Sequence, residues 1–366
     1  MAPAVQFQFR HYSRVFRQAL FTPLGVWSSR LGMIVRLQQG DRVAYGEIAP
    51  IPWFAGESFD GVFQFCGRWL RQWPDGVTAE AIAAIPDTLP ATRFGLGWAW
   101  EQLQRSPEPD PAVPFWPDQA HLDRGPDLPQ AALLPLNSEG LGAWEALWEQ
   151  GYRTFKLKVG DRPLAQDLEL VQSLCQALPG EAKLRLDANG KLEEAGARRL
   201  LEVCDRLGQI EFVEQPIAAR LFADISLGPL EPEAAAALAS YDPWPLLQAL
   251  AQEYQTPIAV DESVTTVEQV RAAYDRGWRG VFVLKPSLAG SPQAVRDLLG
   301  LPELDLVFSS AFESAIGRQA VLTLAAEWAG QHPGQQRAAG LGVSQFLQQD
   351  GLDSATADEV WRFIQF

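Results

Sequence analysis

The sequence predicts an α/β protein in which a (β/α)8 barrel follows an N-terminal α+β unit. Eight short apolar segments alternate with helical segments over about 235 residues, which is the size and the alternation of such a barrel. The alternative is an open doubly wound sheet, which more often carries a glycine-rich phosphate turn after an early strand, and the sequence has none. The segments are AALLPLN, TFKLKV, AKLRLD, IEFVE, PIAVDE, GVFVLK, LDLVFSS and, as the weakest, AAGLGV.

The N-terminal part reads as strands followed by helices, and a change of composition separates it from the barrel. Strand-like stretches, VQFQFRHY and GMIVRLQQGDRVAYGEIA, precede helical stretches near 58–72 and 93–104. Residues 106–130 are rich in Pro and Asp, which neither pair in a sheet nor propagate a helix. We therefore predict an N-terminal α+β domain over 1–110, joined by the C-terminal segment near 350–366, and a barrel domain over 131–349.

Composition and charge restrict the class of partner. The chain has 366 residues, 47% hydrophobic and 20% charged, as in a soluble globular protein with a large core. Its net charge of -15 argues against a nucleic-acid or anionic-membrane surface, so a small-molecule partner is expected. Three cysteines without close spacing predict reduced thiols. The sequence shows neither a signal-peptide layout nor a run of about 18 apolar residues, which predicts a cytoplasmic protein.

Charged residues close five consecutive predicted strands. Lys156 and Lys158 alternate with apolar residues in TFKLKV, so both point to one face, which in a barrel is the interior. Each charge alone has an ordinary explanation, such as a helix cap or a solvated turn. Together they fall at the carboxyl ends of strands, where barrel enzymes build their sites. The strand-end residues are Lys158, Asp187, Glu214, Asp261 and Lys285.

This set of residues predicts chemistry at a carbon acid. Three carboxylates without neighbouring His or Cys are hard oxygen donors of the kind that Mg²⁺ prefers, with Mn²⁺ as an alternative ion. Lys158 and Lys285 lie half a turn apart in an eight-stranded barrel, so each can approach the carbon next to a bound carboxylate from its own side. Removal of the α-proton then needs the metal to hold the enediolate. Because neighbouring ammonium groups disfavour each other's charge, we expect Lys158 to be the base, while Lys156 stays charged and binds the substrate carboxylate.

The motifs at these strand ends resemble a known family. KLK, LDANG, VEQP, VDES and LKPS are similar in type and order to the muconate cycloisomerase-like subgroup of the enolase superfamily. Residues 45–59, YGEIAPIPWFAGESF, look like the capping-domain loop of that subgroup, and residues 309–317, SSAFESAIG, resemble a segment of its o-succinylbenzoate synthases. The resemblance implies an enolase-like fold, in which the N-terminal domain caps the barrel.

The resemblance also implies roles for single residues. Lys158 would take an α-proton and return it to a leaving hydroxyl, while Lys285 would stabilise the anion by its charge. The resemblance assigns Ser309 and Ser310 to substrate binding, but a polar strand end that caps the next helix explains them equally well. The substrate-binding candidates, besides Lys156, are Arg185, Asn189, Ser309 and Ser310, and the implied Mg²⁺ ligands are Asp187, Glu214 and Asp261.

An insertion leaves the third metal ligand open. Glu214 and Asp261 lie farther apart in the chain than the other strand ends, and the extra residues fall within 217–245. Asp224, Glu231 and Asp242 in that stretch are alternative ligands. We prefer Asp261, because it alone closes an apolar strand.

Two aromatic residues stand out in the N-terminal domain. Trp53 and Phe54, in PIPWFAGES, match neither a strand nor a helix pattern. We expect them to close over the barrel mouth and exclude water from the reacting anion. Packing between the two domains is the alternative.

The predicted function is that of a lyase. The resemblance implies a Mg²⁺-dependent syn dehydration of 2-succinyl-6-hydroxy-2,4-cyclohexadiene-1-carboxylate to o-succinylbenzoate, in menaquinone or phylloquinone synthesis. An N-succinylamino acid racemase, or another cycloisomerase of the superfamily, is the alternative, because it uses the same enediolate chemistry. A non-catalytic barrel that only binds a ligand is a further alternative, against which the presence of three carboxylates and two lysines argues.

Overall fold

The first of two sheets is built by the N-terminal residues. The computed structural model describes residues 3–22, 25–105, 128–135, 140–219, 241–354 and 356–364. The N-terminal sheet is antiparallel, in the order β1 (Gln6–Thr22), β2 (Gly25–Gln39) and β3 (Arg42–Ile48). The helices α1 (Pro52–Ala55), α2 (Phe59–Gln72), α3 (Ala79–Ala83) and α4 (Pro90–Gln104) follow it. This is the order of strands and helices that the sequence predicts.

The two faces of β2 are buried in different cores. Met33, Val35 and Leu37 share one face and are fully buried with residues of α2 and α4. Ile34, on the other face, belongs to the core of the barrel. The N-terminal sheet therefore lies between its own helices and the barrel, and it is held by apolar contacts on both sides.

The second sheet is parallel, and its described strands pair in chain order. They are β4 (Ala131–Leu133), β5 (Thr154–Lys158), β6 (Lys183–Asp187), β7 (Ile210–Glu214), β8 (Ile258–Val260), β9 (Val281–Leu284) and β10 (Leu306–Phe308). The accompanying helices are α5 (Gly140–Glu149), α6 (Leu164–Ala177), α7 (Glu194–Cys204), α8 (Trp244–Glu253), α9 (Val267–Asp275), α10 (Pro286–Ala289), α11 (Pro292–Leu299), α12 (Ala315–Gln331) and α13 (Ala357–Phe363).

Residues 339 and 340 close the ring where the sequence predicts an eighth strand. Ala339 forms a parallel bridge with Gln130, just before β4, and Gly340 forms one with Ser309, just after β10. Both edges of the parallel sheet are thereby hydrogen-bonded, as in a closed barrel. The segment AAGLGV, the weakest strand signal, is reduced to these two bridges. The predicted barrel with an N-terminal α+β unit is confirmed.

Side-chain alternation places the charged strand ends above an apolar interior. A separate buried cluster fills the barrel and consists of Phe212, Ala259, Val281, Val283 and Val307. Residues two apart on a strand share a face, so the next inward positions along three of these strands are the charged ones. They are Glu214, Asp261 and Lys285.

A buried ion network lies beside this apolar interior, towards the amino ends of the strands. Arg185 Nε donates to Glu211 Oε2 over 2.6 Å, and its Nη1 donates to the Ala338 carbonyl over 2.6 Å. Arg337 Nη1 donates to Glu211 Oε1 over 2.8 Å and its Nε to Asp305 over 2.6 Å. Glu211 is the extra residue at a register shift between β6 and β7, so a bulge turns it towards the two arginines.

A single carboxylate joins the N-terminal sheet to the barrel. Glu47, at the end of β3, is buried and accepts hydrogen bonds from the backbone N–H groups of Ser314 and Gly317 at 2.9 Å. The hydroxyls of Tyr12 and Ser314 donate to the same carboxylate. Ser314 caps α12, so Glu47 lies at the helix terminus where unpaired N–H groups favour negative charge.

The C-terminal segment packs on the N-terminal sheet. Arg14 Nε donates to Asp350 over 3.0 Å, and Arg14 Nη2 pairs with Asp353. Arg10 Nη1 donates to the Trp361 carbonyl over 2.6 Å, and its guanidinium lies 4.3 Å from the centre of the Trp361 ring system. These contacts favour the predicted domain division, which stays a prediction.

Two stretches singled out in the sequence lie outside the described residues. They are most of the predicted boundary at 106–130 and, within the insertion, residues 220–240 with Asp224 and Glu231. In the ranges that are described, no helix has the length and apolar character needed to cross a membrane.

We predict that Glu211→Gln lowers the free energy of unfolding by about 3 kcal/mol at neutral pH, because it leaves buried Arg185 without its anion. Burial alone raises the pKa of Glu211, but Arg185 and Arg337 outweigh it and hold the pKa below its ordinary value of 4.5. The stabilisation that ionised Glu211 contributes is therefore complete above pH 4.5. It is lost as the pH falls through the lower pKa of Glu211 in the folded state.

Urea unfolding of wild type and Glu211→Gln between about pH 7 and pH 3.5 checks this, with the difference expected to shrink at the acid end. The control is Glu202→Gln, which removes exposed ion pairs on α7 and is expected to change stability by less than about 1 kcal/mol. A constant difference across the pH range would contradict the assignment.

Candidate active site

Six charged side chains meet at the carboxyl ends of β5 to β9. Lys158, Asp187 and Glu214 stand in register across β5, β6 and β7, which brings them side by side. Asp261 and Lys285 directly follow β8 and β9. Together with Lys156 we call them the lysine–carboxylate cluster: Lys156, Lys158, Asp187, Glu214, Asp261 and Lys285.

The two lysines of β5 contact the carboxylates of the next two strands. Lys156 Nζ lies 2.8 Å from Asp187 Oδ2 and 2.7 Å from Glu214 Oε1. Lys158 Nζ lies 3.2 Å from the same Asp187 oxygen. Asp187 is therefore shared by both ammonium groups, and Lys156 connects it to Glu214. Positive and negative groups thus alternate in contact at the opening of the barrel.

Lys285 faces this pair from the other side of the mouth. Its ammonium group is paired with Asp261 Oδ1. It also lies 4.2 Å from the centre of the Phe54 ring, which belongs to α1 of the N-terminal domain. A cation over an aromatic face is attracted to it, more strongly where water is excluded. The predicted capping residue Phe54 thus contacts one of the two predicted catalytic lysines.

Burial and neighbouring charges shift the pKa values within the cluster in different directions. Burial lowers the pKa of Lys156, but Asp187, Glu214 and Asp261 outweigh it and leave the pKa well above its ordinary range. Burial raises the pKa of Asp187, yet Lys156 and Lys158 bring it well below the usual range. Burial and the negative charge of Asp187 raise the pKa of Glu214 to about 7. Lys156 is thus held as a cation, as the sequence predicts.

A fourth acidic residue, which the sequence reasoning missed, lies against the cluster. Glu262 is buried, and its Oε1 accepts from Asn189 Nδ2 over 2.8 Å. Asn189 Oδ1 in turn accepts from Lys158, so Glu262 and Lys158 are linked through one amide. Burial and the charge of Asp261 raise the pKa of Glu262 to about 8. Two adjacent acids in VDES were the available signal, but the second belongs to the opposite face in a regular strand.

Gln215 fixes the spacing between two predicted metal ligands and was also missed. Its side-chain Oε1 accepts from the backbone N–H groups of Asp261 and Ser263, each over 3.2 Å. Its Nε2 donates to the hydroxyl of Ser263 over 2.8 Å. The backbone of Gln215 has a φ of 39°, a conformation that non-glycine residues seldom adopt. Such a conformation next to Glu214 is typical of a site whose geometry is strictly held.

The donor chemistry of the three carboxylates suits a divalent cation. Across the described ranges, no three His, Cys, Asp or Glu side chains are already arranged as a metal site. Instead, Lys156 lies between Asp187 and Glu214, and Lys285 pairs with Asp261. Burial, and after it the negative charge of Asp187, raise the pKa of Glu214 even with Lys156 beside it. Mg²⁺ prefers such oxygen donors, and a divalent cation would add positive charge among them.

The remaining candidates for substrate binding lie farther from the lysine–carboxylate cluster. Arg185 belongs to the ion network with Glu211, although its Nη2 is buried without a hydrogen-bond partner among the described residues. Ser310 donates its hydroxyl to Glu313 and accepts from the Phe312 backbone N–H over 2.9 Å. Ser309 forms the bridge to residue 340. Their contact with substrate stays a prediction.

Asp242 serves a helix rather than the cluster. Its Oδ1 accepts from the backbone N–H of Trp244, the first residue of α8, over 3.1 Å. Among the described alternatives for the third metal ligand, Asp261 is therefore the one within the cluster. The assignment of Asp261 as the ligand remains a prediction.

An aromatic group extends from α1 to the loop after β10. Trp53 packs edge-on against Trp27, with 4.8 Å between ring centres. Trp27 in turn contacts Phe16 at 4.8 Å and Phe312 at 5.6 Å. Trp53 thus packs on Trp27 of the N-terminal sheet, which in turn contacts Phe312 beyond β10, and its neighbour Phe54 contacts Lys285. A capping role for Trp53 stays a prediction.

Comparison with known proteins supports both halves of this architecture. Residues 19–103 match the family model described as MenC, N-terminal domain, and residues 142–227 match that described as Enolase C-terminal domain-like. The chain is 37% identical over 360 residues to an o-succinylbenzoate synthase of Thermosynechococcus vestitus, covering 97% of this chain and 98% of the relative. The chain belongs to the o-succinylbenzoate synthase family of the enolase superfamily.

Solved structures extend the comparison beyond the o-succinylbenzoate synthase family. The crystal structure of the o-succinylbenzoate synthase from Thermosynechococcus elongatus, complexed with Mg in its active site, matches with a TM-score of 0.77 and 36% identity over 98% of both chains. The L-Ala-D/L-Glu epimerase from Bacillus subtilis matches with a TM-score of 0.72 at 20% identity, over 95% of this chain and 92% of the epimerase. At that identity the second likeness concerns the fold alone.

Trp53→Ala is expected to raise KM about tenfold with little change in the melting temperature, because a capping role predicts that its ring covers the mouth while Phe54 stays in place. Steady-state kinetics and thermal unfolding measure the two effects. The matched variant is Trp69→Ala, which removes a buried ring that packs on Phe7 at 5.0 Å inside the N-terminal domain. It should lower the melting temperature and leave KM unchanged. The reverse pattern would make Trp53 a packing residue.

Proposed function

We propose that this chain is an o-succinylbenzoate synthase, which dehydrates 2-succinyl-6-hydroxy-2,4-cyclohexadiene-1-carboxylate in menaquinone or phylloquinone synthesis in the cytoplasm. The observation that carries the proposal is the pair of lysines, Lys158 and Lys285, on opposite sides of three carboxylates at the barrel mouth. Full-length identity of 37% to a synthase supports the choice of reaction within the superfamily. The reaction class is a carbon–oxygen lyase acting on a small molecule.

Lys158 is the residue to which we assign proton transfer. In the proposed reaction its neutral amine takes the proton from the ring carbon that bears the carboxylate. The bond from the neighbouring carbon to the hydroxyl then breaks, and the same nitrogen returns the proton to the departing oxygen, so that water leaves and the ring becomes aromatic. A single base suffices because proton and hydroxyl leave from the same face. Asn189, which accepts a hydrogen bond from Lys158, keeps the nitrogen at that face.

Lys285 and Lys156 are assigned electrostatic roles. Lys285, on the far side of the mouth, stays cationic and stabilises the negative charge that develops on the substrate. Lys156, whose pKa lies well above its ordinary range, binds the substrate carboxylate as a cation. Trp53 and Phe54 exclude water above the ring, which strengthens both interactions.

Mg²⁺ is the proposed cofactor, with Mn²⁺ as an alternative ion and Asp187, Glu214 and Asp261 as the residues that hold it. When bound, the ion acts as a Lewis acid that lowers the energy of negative charge on the substrate carboxylate oxygens. The related synthase was solved with Mg in its active site, and the hard oxygen donors of this chain suit the same ion.

An N-succinylamino acid racemase is the second candidate. The observation that favours it is the same pair of lysines, because a racemase needs one acid and base on each side of the α-carbon. It differs from the synthase in what Lys285 must do, since Lys285 would then exchange a proton rather than only supply charge.

Removal of divalent metal should abolish activity. We expect excess chelator to stop formation of the aromatic product and added Mg²⁺ to restore it. Asp187→Asn, Glu214→Gln and Asp261→Asn should each weaken Mg²⁺ binding measured by calorimetry. Asp242→Asn, which changes an acid at the start of α8, is the control and should bind Mg²⁺ as the wild type does. Full turnover in chelator would contradict the metal assignment.

The two lysines should separate synthase from racemase. Lys158→Ala should lower kcat for the aromatic product by about 10² to 10⁴-fold, the usual contribution of a positioned general base. Lys285→Ala should also be severely impaired, through the loss of its charge. Lys191→Ala, which removes an exposed ion pair with Asp161, serves as the control.

The racemase test uses the wild type in heavy water with both enantiomers of an N-succinylamino acid. We expect slow deuterium uptake, or none, at the α-carbon compared with formation of the aromatic product. Racemisation far faster than dehydration would exclude the synthase and retain the barrel and both lysines.

A further inference from the structure

Glu313 is a buried carboxylate that the proposed mechanism leaves unused. It lies in the loop between β10 and α12 and is 1% exposed. Its Oε1 accepts from the Ser287 hydroxyl and, over 2.9 Å, from the backbone N–H of Ala311. Its Oε2 accepts from the Ser310 hydroxyl. Burying a carboxylate is unfavourable unless such donors surround it. The three donors meet this requirement, and they connect Glu313 to residues of two separate segments.

Ser287 connects Glu313 to the end of β9. It is the second residue after Lys285 and lies in α10, a single turn of four buried residues. Lys285 occupies the cap position of this turn without a side-chain capping bond. The Lys285 carbonyl accepts from the Leu288 N–H over 2.9 Å. A turn this short has little stability of its own, and the bond from Ser287 to Glu313 is one of the contacts that hold it next to Lys285.

The same loop is joined to the residues that cover Lys285. Arg30, from β2, donates its Nε to the Ala311 carbonyl over 2.9 Å and its Nη1 to the Pro50 carbonyl over 2.6 Å. Pro50 precedes α1, whose Phe54 ring lies on the Lys285 ammonium group. The loop after β10 is thus connected to both sides of Lys285. Glu313 contacts Ser287, just after the lysine. Ala311 is linked through Arg30 to Pro50, just before the helix that carries Phe54.

We propose that Glu313 is a positioning residue for Lys285. By holding Ser287, it fixes α10, and α10 holds the lysine between Asp261 and the Phe54 ring. A lysine side chain has four rotatable bonds, so a fixed starting point for the chain and two contacts at its end restrict it to one placement. The inference rests on the proposed function only in assigning Lys285 an electrostatic role, and the geometry it describes is independent of the substrate.

Variants of the two partners test the link by steady-state formation of o-succinylbenzoate. Ser287→Ala and Glu313→Leu should each lower kcat about tenfold and change KM by less than about threefold, because the charge opposite the developing anion is displaced. Glu313→Gln should stay within about threefold of wild type, since an amide oxygen can still accept from Ser287. The double variant should be no slower than Glu313→Leu alone, because both changes break one connection.

The control is Thr256→Ala, at the opposite end of the barrel. Its hydroxyl donates to the Asp205 carboxylate over 2.7 Å, so the variant also removes one hydroxyl from one carboxylate. It should leave kcat unchanged. Wild-type kcat in Ser287→Ala would overturn the inference, even if Glu313→Leu failed to fold.

A structural measurement keeps the result separate from the proposed function. Crystal structures of wild type and Ser287→Ala should differ in the position of Lys285 Nζ relative to Asp261 and the Phe54 ring. An unchanged lysine would contradict the positioning role. Absence of aromatic product with the wild-type protein would contradict the proposed function instead, and the displacement of Lys285 in the variant would still support the inference.

Discussion

Crowding of negative charge at the carboxyl ends of β6, β7 and β8 is the constraint on which the site depends. Parallel strands in register bring Asp187 beside Glu214, and Asp261 follows on the next strand. Burial disfavours the charged form of Glu214, the nearby negative charge of Asp187 adds to this, and together they raise the pKa of Glu214 to about 7. The arrangement persists because cations lie among the carboxylates: Lys156 between two of them and Lys285 on the third.

The mouth is built by two parts of the chain. A cationic group is held most firmly where water is excluded, and the barrel strands alone leave their ends open. The N-terminal part supplies Phe54 over Lys285, and Glu47 anchors that part to the start of α12. Glu47 is itself buried with four hydrogen-bond donors around it. A buried carboxylate surrounded by donors thus also holds the contact between sheet and barrel.

Sequence reasoning succeeded where a short-range pattern decides the outcome. The period of two in TFKLKV determines that Lys156 and Lys158 share a face, and an acid at an inward-facing strand end lies at the mouth of a parallel barrel. It was less complete where two distant segments meet. Glu262, Gln215 and the bulge that turns Glu211 towards Arg185 depend on register between strands, which no local pattern reports. The eighth strand was weak in sequence and is short in the structure.

The sequence by itself determined the alternation of strands and helices, the charged strand ends and the kind of chemistry they suit, because each follows from side-chain type at fixed spacing. The tertiary structure decided which charges touch. It placed Lys156 between Asp187 and Glu214, Arg185 on Glu211, and Phe54 on Lys285. These pairings are set by the closure of the barrel and the docking of the N-terminal sheet, since distances between remote segments depend on how the whole chain packs.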